Sequence, residues 1–211
     1  VAMTPCDIVV PGDPSSAAFF AVAASIVPGS DLVIENTGLN PTRNGIFRVL
    51  KQMGARVDYL DEREVGGEPV ADLRVRHAKL KGVEVDPALA PSMIDEFPVL
   101  FVAAALADGT TVTSGLEELR VKESDRLSAM AAALTSVGAD LDERGDGLLI
   151  KGTGGKTFPD GGPVTTHLDH RIAMSMAVAG LASENGVEID STEPIATSFP
   201  NFMDLLSEAA E

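Results

Sequence analysis

Two kinds of apolar stretch alternate along this chain. The first kind is apolar nearly all round: Ala17 to Ile26, about Glu96 to Ala107, and Ile172 to Leu181. These runs are long for strands, and they predict helices buried on most sides. The second kind is striped. About Gly45 to Met53, about Ser124 to Val137 and about Phe199 to Ala209 read as helices with one polar face. In the middle one, Glu123, Leu127, Met130, Ala131, Leu134 and Val137 recur at helical spacing, which puts Glu123 on the apolar stripe. Short runs near Leu32 to Ile34, Val57 to Tyr59, Leu73 to Val75, Thr111 to Thr113, Leu141, Leu148 to Ile150 and Val187 to Ile189 predict strands.

The order of these elements repeats. Units of about 11–86 and 91–152 each read as an apolar helix, a strand, a striped helix and two further strands. A third unit, about 164–211, stops after its second helix and lacks the final strand pair. Gly38-Leu39 corresponds to Gly115-Leu116, and Gly54-Ala55 to Gly138-Ala139. A glycine after a helix supplies the left-handed residue that ends it. Asp61 to Pro69 and Lys151 to Pro163 are rich in charge and glycine and read as exposed hairpin or connection loops. The pattern predicts one α/β domain over 1–211, with three buried helices at its centre wrapped by sheets and outer helices. That inverts the usual layering, in which a sheet is central.

Composition narrows the function classes. Thirty-two Asp and Glu against 16 Lys and Arg give a net charge of −16, an unfavourable balance for nucleic acid. No apolar run is long enough to cross a bilayer, so no membrane partner is expected and a cytoplasmic location is. A single Cys6 allows no internal disulfide. Three His and one Cys, with no CxxC or HExxH, predict no metal site. The chain opens on Val1 rather than Met, which fits a fragment.

Candidate chemistry collects where the helices begin. Polar residues head each apolar helix: Asp13, Ser15 and Ser16; Asp95 and Glu96; Asp169, His170 and Arg171. Capping alone accounts for the first set, and Asp95 reads equally as a cap or as a functional group. Parallel helices would bring the three N-termini to one end of the domain, where free N–H groups and the helix dipoles favour an anion. Leu119-Arg120-Val121-Lys122-Glu123-Ser124-Asp125-Arg126 adds three cations and two carboxylates at the mouth of another helix. Glu123 and Arg126, three apart, are helix neighbours able to pair. Arg126 and Arg171 suit a planar carboxylate.

Pro11 to Phe20, Asn40-Pro41-Thr42-Arg43, Ile94-Asp95-Glu96-Phe97-Pro98, Leu119 to Arg126, Leu168 to Arg171 and Thr197 to Pro200, taken together and in this order, resemble EPSP synthase. The wording around Asn40 and Asp95 resembles the class II, glyphosate-insensitive bacterial type. The resemblance covers essentially the whole chain but only the C-terminal half of the family's length. It implies an inside-out domain of repeated β-α-β-α-β-β units, the enolpyruvyl transferase fold. It implies transfer of the enolpyruvyl group of phosphoenolpyruvate to the 5-hydroxyl of shikimate 3-phosphate in the shikimate pathway of aromatic amino-acid biosynthesis, with no cofactor. The expected partners are those two substrates and the N-terminal half of the same enzyme, without which this chain is expected to be inactive. Matched residue by residue, Asp95 falls on the family's proton acceptor and Glu123 on the carboxylate that moves a proton at the methylene carbon. Lys122 falls near the shikimate ligand, Arg126 and Arg171 on the pair that grips phosphoenolpyruvate, and His170 on a nearby polar residue.

Two other readings compete with this one. A UDP-N-acetylglucosamine enolpyruvyl transferase shares the architecture but carries a nucleophilic cysteine loop, a context Cys6 lacks. A non-catalytic module on the same repeats would be expected to lose its charged helix mouths, whereas Asp95, Glu123, Arg126 and Arg171 are all in place.

Overall fold

The computed structural model describes residue 7 and residues 9–210; Cys6, and with it any reading of its surroundings, lies outside them. The first two units share one construction. Unit one runs α1 (Pro14–Ile26), β1 (Asp31–Gly38), α2 (Gly45–Gln52), β2 (Arg56–Val65) and β3 (Glu68–Arg76). Unit two runs α3 (Phe97–Leu106), β4 (Thr110–Val112), α4 (Arg126–Ser136), β5 (Asp140–Arg144) and β6 (Gly147–Lys151). Their sheets have the same strand order, β1-β3-β2 and β4-β6-β5, with every pair antiparallel. Gly54 and Gly138 end α2 and α4 at φ 91° and 93°, a region that disfavours side chains with a Cβ.

The third unit holds α5 (His170–Gly180) and α6 (Phe202–Ala209). Its expected strand at Val187 to Ile189 does not form as a ladder. Single parallel bridges, Phe158 to Ser183 and Val164 to Ile189, stand there instead. A strand needs a neighbour to satisfy its backbone groups, and the hairpin that flanks β1 and β4 has no counterpart here among the described residues. The crossover itself is kept in all three units. Gly12 bridges to Thr37 across α1, Lys81 to Asp108 and Glu84 to Val112 across α3, and Val164 to Ile189 across α5, always in parallel.

Some boundaries differ from expectation. Of the two readings of Asp61 to Pro69 the hairpin holds: β2 and β3 run through the stretch and leave only the Gly66-Gly67 turn. A bulge between Leu60 and Arg63, with Asp61 at φ 47°, breaks the alternation that would have marked the strand. The helix expected from Ser124 begins at Arg126, where the Asp125 carboxylate accepts the Ser128 N–H at 3.1 Å and caps it.

The core sits among α1, α3 and α5, which pack on one another. Every residue of α3 is buried, and α1 and α5 are buried along most of their length. Alanines at 17, 18, 21, 23, 24, 103, 104, 105, 173 and 179 fill the centre, small enough for three helices to meet closely. Larger side chains then seal the outer layer: Phe19 and Phe20 of α1 stack edgewise on Phe202 of α6, with ring centres 5.7 Å apart in each pair. The sheets stay separate and do not close into a barrel.

Candidate active site

Each central helix brings its charged N-terminus to the same end of the molecule. Asp13 caps α1 by accepting the Ser16 N–H at 2.9 Å, and Asp169 caps α5 by accepting the Arg171 N–H at 2.9 Å. Asp95 and Glu96 lie on a 3₁₀ turn, Ile94–Glu96, that leads into α3. Asp95 caps nothing there. It faces Arg126, Arg171 and Lys122 instead.

Arg126 is the centre of the arrangement. Its side chain is 1% exposed, and all three nitrogens are engaged by carboxylates. Nε donates to Asp169 Oδ2 at 2.8 Å, Nη1 to Asp95 Oδ1 at 3.0 Å, and Nη2 to Glu123 Oε2 and to Asp169 Oδ1, the latter at 3.3 Å. Burying a guanidinium is costly unless its donors are met, and here three acids from three segments meet them. Asp169 is itself fully buried and also accepts the Ser124 hydroxyl at 2.9 Å. Burial pushes its carboxyl up. The hydrogen bond and charge of Arg126, the Ser124 hydroxyl and the Arg171 N–H together outweigh that and hold it below the ordinary value.

Glu123 does not lie on the apolar stripe of α4. It precedes the helix, its side chain is 53% exposed, and only its contact with Arg126 fixes it. Lys122 spans Glu118 at 2.6 Å and Asp95 at 3.6 Å, and those acids, Glu118 foremost, raise its pKa above the usual lysine value against some desolvation. Arg120, in the same segment, is structural. It ties the 3₁₀ turn Glu117–Val121 to Asp125 and to the β5–β6 hairpin through Glu143, Arg144 and Gly145.

Arg171 is 17% exposed. It donates Nη1 to the Asp95 backbone oxygen at 3.0 Å and stands 3.9 Å from the Asp95 carboxylate. Arg126 and Arg171 therefore share Asp95 as neighbour and flank one site. His170, beside them, is kept more neutral by burial and by the Arg171 charge, so its pKa lies below the usual imidazole value. Two consecutive residues with positive φ, His167 at 54° and Leu168 at 58°, turn the chain into the Asp169 cap, a strained entry of the kind found where geometry is fixed for use.

The structure thus brings together Asp95, Lys122, Glu123, Arg126, His170 and Arg171. Ser124 and Arg43 join them without having been singled out for a role, and Asp169 and Glu96, expected only as polar residues at the helix heads, lie among them. A capping residue ahead of a wholly apolar helix was the available signal for Asp169. No group of three or more metal-ligating side chains is assembled among the described residues, and no helix there is long and apolar enough to cross a membrane.

The family model of EPSP synthase (3-phosphoshikimate 1-carboxyvinyltransferase) matches residues 2–206. The chain belongs to the EPSP synthase family. It is 68% identical over 210 residues to the 3-phosphoshikimate 1-carboxyvinyltransferase of Novosphingobium aromaticivorans, and 57% identical over 209 residues to that of Zymomonas mobilis. Each alignment covers 98% of this chain, and 48% and 46% of those relatives respectively. The chain therefore spans about half the length of the curated relatives it matches. A solved EPSP synthase from Acinetobacter baumannii superposes with a TM-score of 0.93 at 48% identity, over 96% of this chain and 46% of that one. The enolpyruvyl transferase NikO from Streptomyces tendae shares the fold, with a TM-score of 0.67 at 18% identity over 92% of this chain and 42% of its own. The fold, with its buried central helices, is the one shared with these neighbours.

Proposed function

We propose that this chain is one lobe of an EPSP synthase, which transfers the enolpyruvyl group of phosphoenolpyruvate to the 5-hydroxyl of shikimate 3-phosphate and releases phosphate. The observation that carries the reading is the ring of Lys122, Glu123, Arg126 and Arg171 around Asp95, inside a chain of this family. Two trianionic or nearly trianionic substrates need cations, and Lys122, Arg126 and Arg171 supply them here, held in the free site by Asp95, Glu118, Glu123 and Asp169.

Among the described residues four of the five N–H groups of Arg126 are engaged by carboxylates and the side chain is 1% exposed, so a ligand carboxylate gains a two-point grip on it only by exchange. Glu123 is the exchangeable partner, since it is half exposed and outside the helix, whereas Asp169 is fully buried. In our reading the phosphoenolpyruvate carboxylate takes the place of Glu123 on Arg126, and Arg171 grips the same anion. Glu123, released from the ion pair, takes up a proton, delivers it to the methylene carbon as the hydroxyl adds, and removes one again as phosphate leaves. Asp95, oriented by Arg126 and Lys122, accepts the proton of the attacking hydroxyl and passes it to the departing phosphate. Lys122 neutralises charge near the shikimate ligand, and His170 shapes the wall beside Arg171.

The reading makes the site one face of a cleft, completed by the remaining half of the family's length. Enolpyruvyl transfer, followed by phosphate release, tests it. This chain alone is expected to give no turnover, and mixing it with the complementary half is expected to restore turnover. Turnover by the isolated chain refutes the two-lobe reading, and a correctly folded pair that stays inactive refutes the reaction.

A further inference from the structure

Glu96 is the buried acid that the reaction above does not use. Its residue is 5% exposed, and its Oε1 has no hydrogen-bond partner. It stands where α1, α3 and α5 meet. Arg171 of α5 places Nη1 3.7 Å from Oε1, beyond hydrogen-bond range but well within reach of its charge. Ser15 of α1 faces it with a hydroxyl that accepts from Arg43 Nη2 at 3.0 Å and keeps its own proton for the Glu96 carboxyl, while Oε1 stays without a partner among the described residues. Arg43 adds a second, more distant cation, though its own close partner is Asp13 at 2.9 Å. On its own turn Asp95 adds a like charge, and His170 follows Asp169 at the head of α5 next to Arg171.

A carboxylate left partly unpartnered in such a place is costly, and leaving it so implies use. Among the described residues Arg171 is the one cation within 4 Å of it, and Arg171 is the group the proposed function assigns to the anionic ligand. An anion seated on Arg171 would cancel the charge that keeps Glu96 ionised. We infer that Glu96 is a proton-coupled positioning residue: it holds the Arg171 guanidinium in the empty site, and takes one proton from solvent when an anion occupies Arg171. Arg171 stays protonated throughout, so the proton lands on the Glu96 carboxyl alone. Burial pushes Glu96 above the ordinary glutamate value, with Ser15, Arg171 and Arg43 opposing and Asp95 reinforcing, which places it where such coupling works.

The inference rests on the assignment of Arg171 to phosphoenolpyruvate. The experiment is calorimetric titration of the two-lobed enzyme with phosphoenolpyruvate, in buffers of low and high ionisation enthalpy, for the wild type and E96Q. Wild type is expected to take up protons on binding, and E96Q to lose the Glu96 share of that uptake. E96Q should also raise KM for phosphoenolpyruvate about tenfold, with kcat changed far less, and flatten the pH dependence of KM. A merely structural Glu96 would move none of the proton count. Equal uptake in both proteins assigns the proton elsewhere, to His170 foremost, and overturns the inference while leaving the transfer reaction standing. Binding without transfer refutes the reaction and leaves the proton count to decide Glu96. A wild type that binds no phosphoenolpyruvate overturns both.

Discussion

Replacing Asp169 by Asn keeps the shape of the side chain and removes its charge. Asp169 is fully buried and accepts four hydrogen bonds: two from Arg126, at 2.8 and 3.3 Å, one from the Ser124 hydroxyl at 2.9 Å and one from the Arg171 N–H at 2.9 Å. Removing one member of a buried ion pair costs about 3–5 kcal/mol when the other is stranded. Arg126 is not stranded, since Asp95 and Glu123 remain, so the expected loss is at the low end, about 3 kcal/mol. For a chain of this size that corresponds to a Tm lowered by about 6–12 °C. The pH dependence supplies a second check. Asp169 titrates below the ordinary aspartate value of 3.8, so its share of stability is present above that value and is lost as pH falls through the lower folded value. The gap between wild type and Asp169→Asn in urea unfolding should be full at pH 7 and narrow below pH 3.8. A D169N protein within about 1 kcal/mol of wild type at pH 7 would refute the view that Asp169 anchors Arg126.

Other expectations follow from separate features. Phe101→Ala opens a void in the fully buried α3 and should cost about 3–5 kcal/mol by urea unfolding. A Cβ at Gly147 would lie 2.0 Å from the Thr113 carbonyl oxygen, whereas one at Gly145 meets nothing within 4 Å; G147A should therefore lower Tm clearly and G145A hardly at all. His170 should remain neutral at pH 7 and titrate, by NMR of its ring protons, below the ordinary value of 6.5. Glu96 titrates above its ordinary value of 4.5, so its protonated form stabilises the fold in acid and that share is lost as pH rises through the folded value. Thermal melts should thus show E96Q gaining on wild type as pH rises from 4.5.

The repeat was legible because it was written in long-range order, with the same glycines and the same two helix types in each unit. The wholly apolar runs of α1 and α3 could only be buried helices, and they are. What escaped was local. The length of the β2 and β3 strands in their hairpin was hidden because Asp61 sits in a bulge, and a bulge shifts the alternation by one residue. Glu123 fits a helical stripe by spacing, but Asp125 starts the helix after it, and capping overrides periodicity. Val187 to Ile189 has strand-like residues and no ladder to join. Of the candidate site, the residues with charge on motif segments were readable. The threefold acid clamp on Arg126 was not, because it joins segments 31 and 43 positions apart in the chain.

The total burial of α3 also sets how this molecule breathes. A helix with a wet face can fray or detach locally and expose its amides while the rest of the fold stands. Helix α3 has no such face: α1 and α5 lie against it, and α2, α4 and β6 close the remaining sides. Its amide protons can meet solvent only when those neighbours come apart together. Hydrogen exchange along α3 should therefore report the opening of the whole core, while α6 and the β2–β3 hairpin exchange by smaller, cheaper openings. The helix that carries no charge at all thus keeps time for the charged turn at its head: Asp95 and Glu96 stay in place as long as the core remains shut.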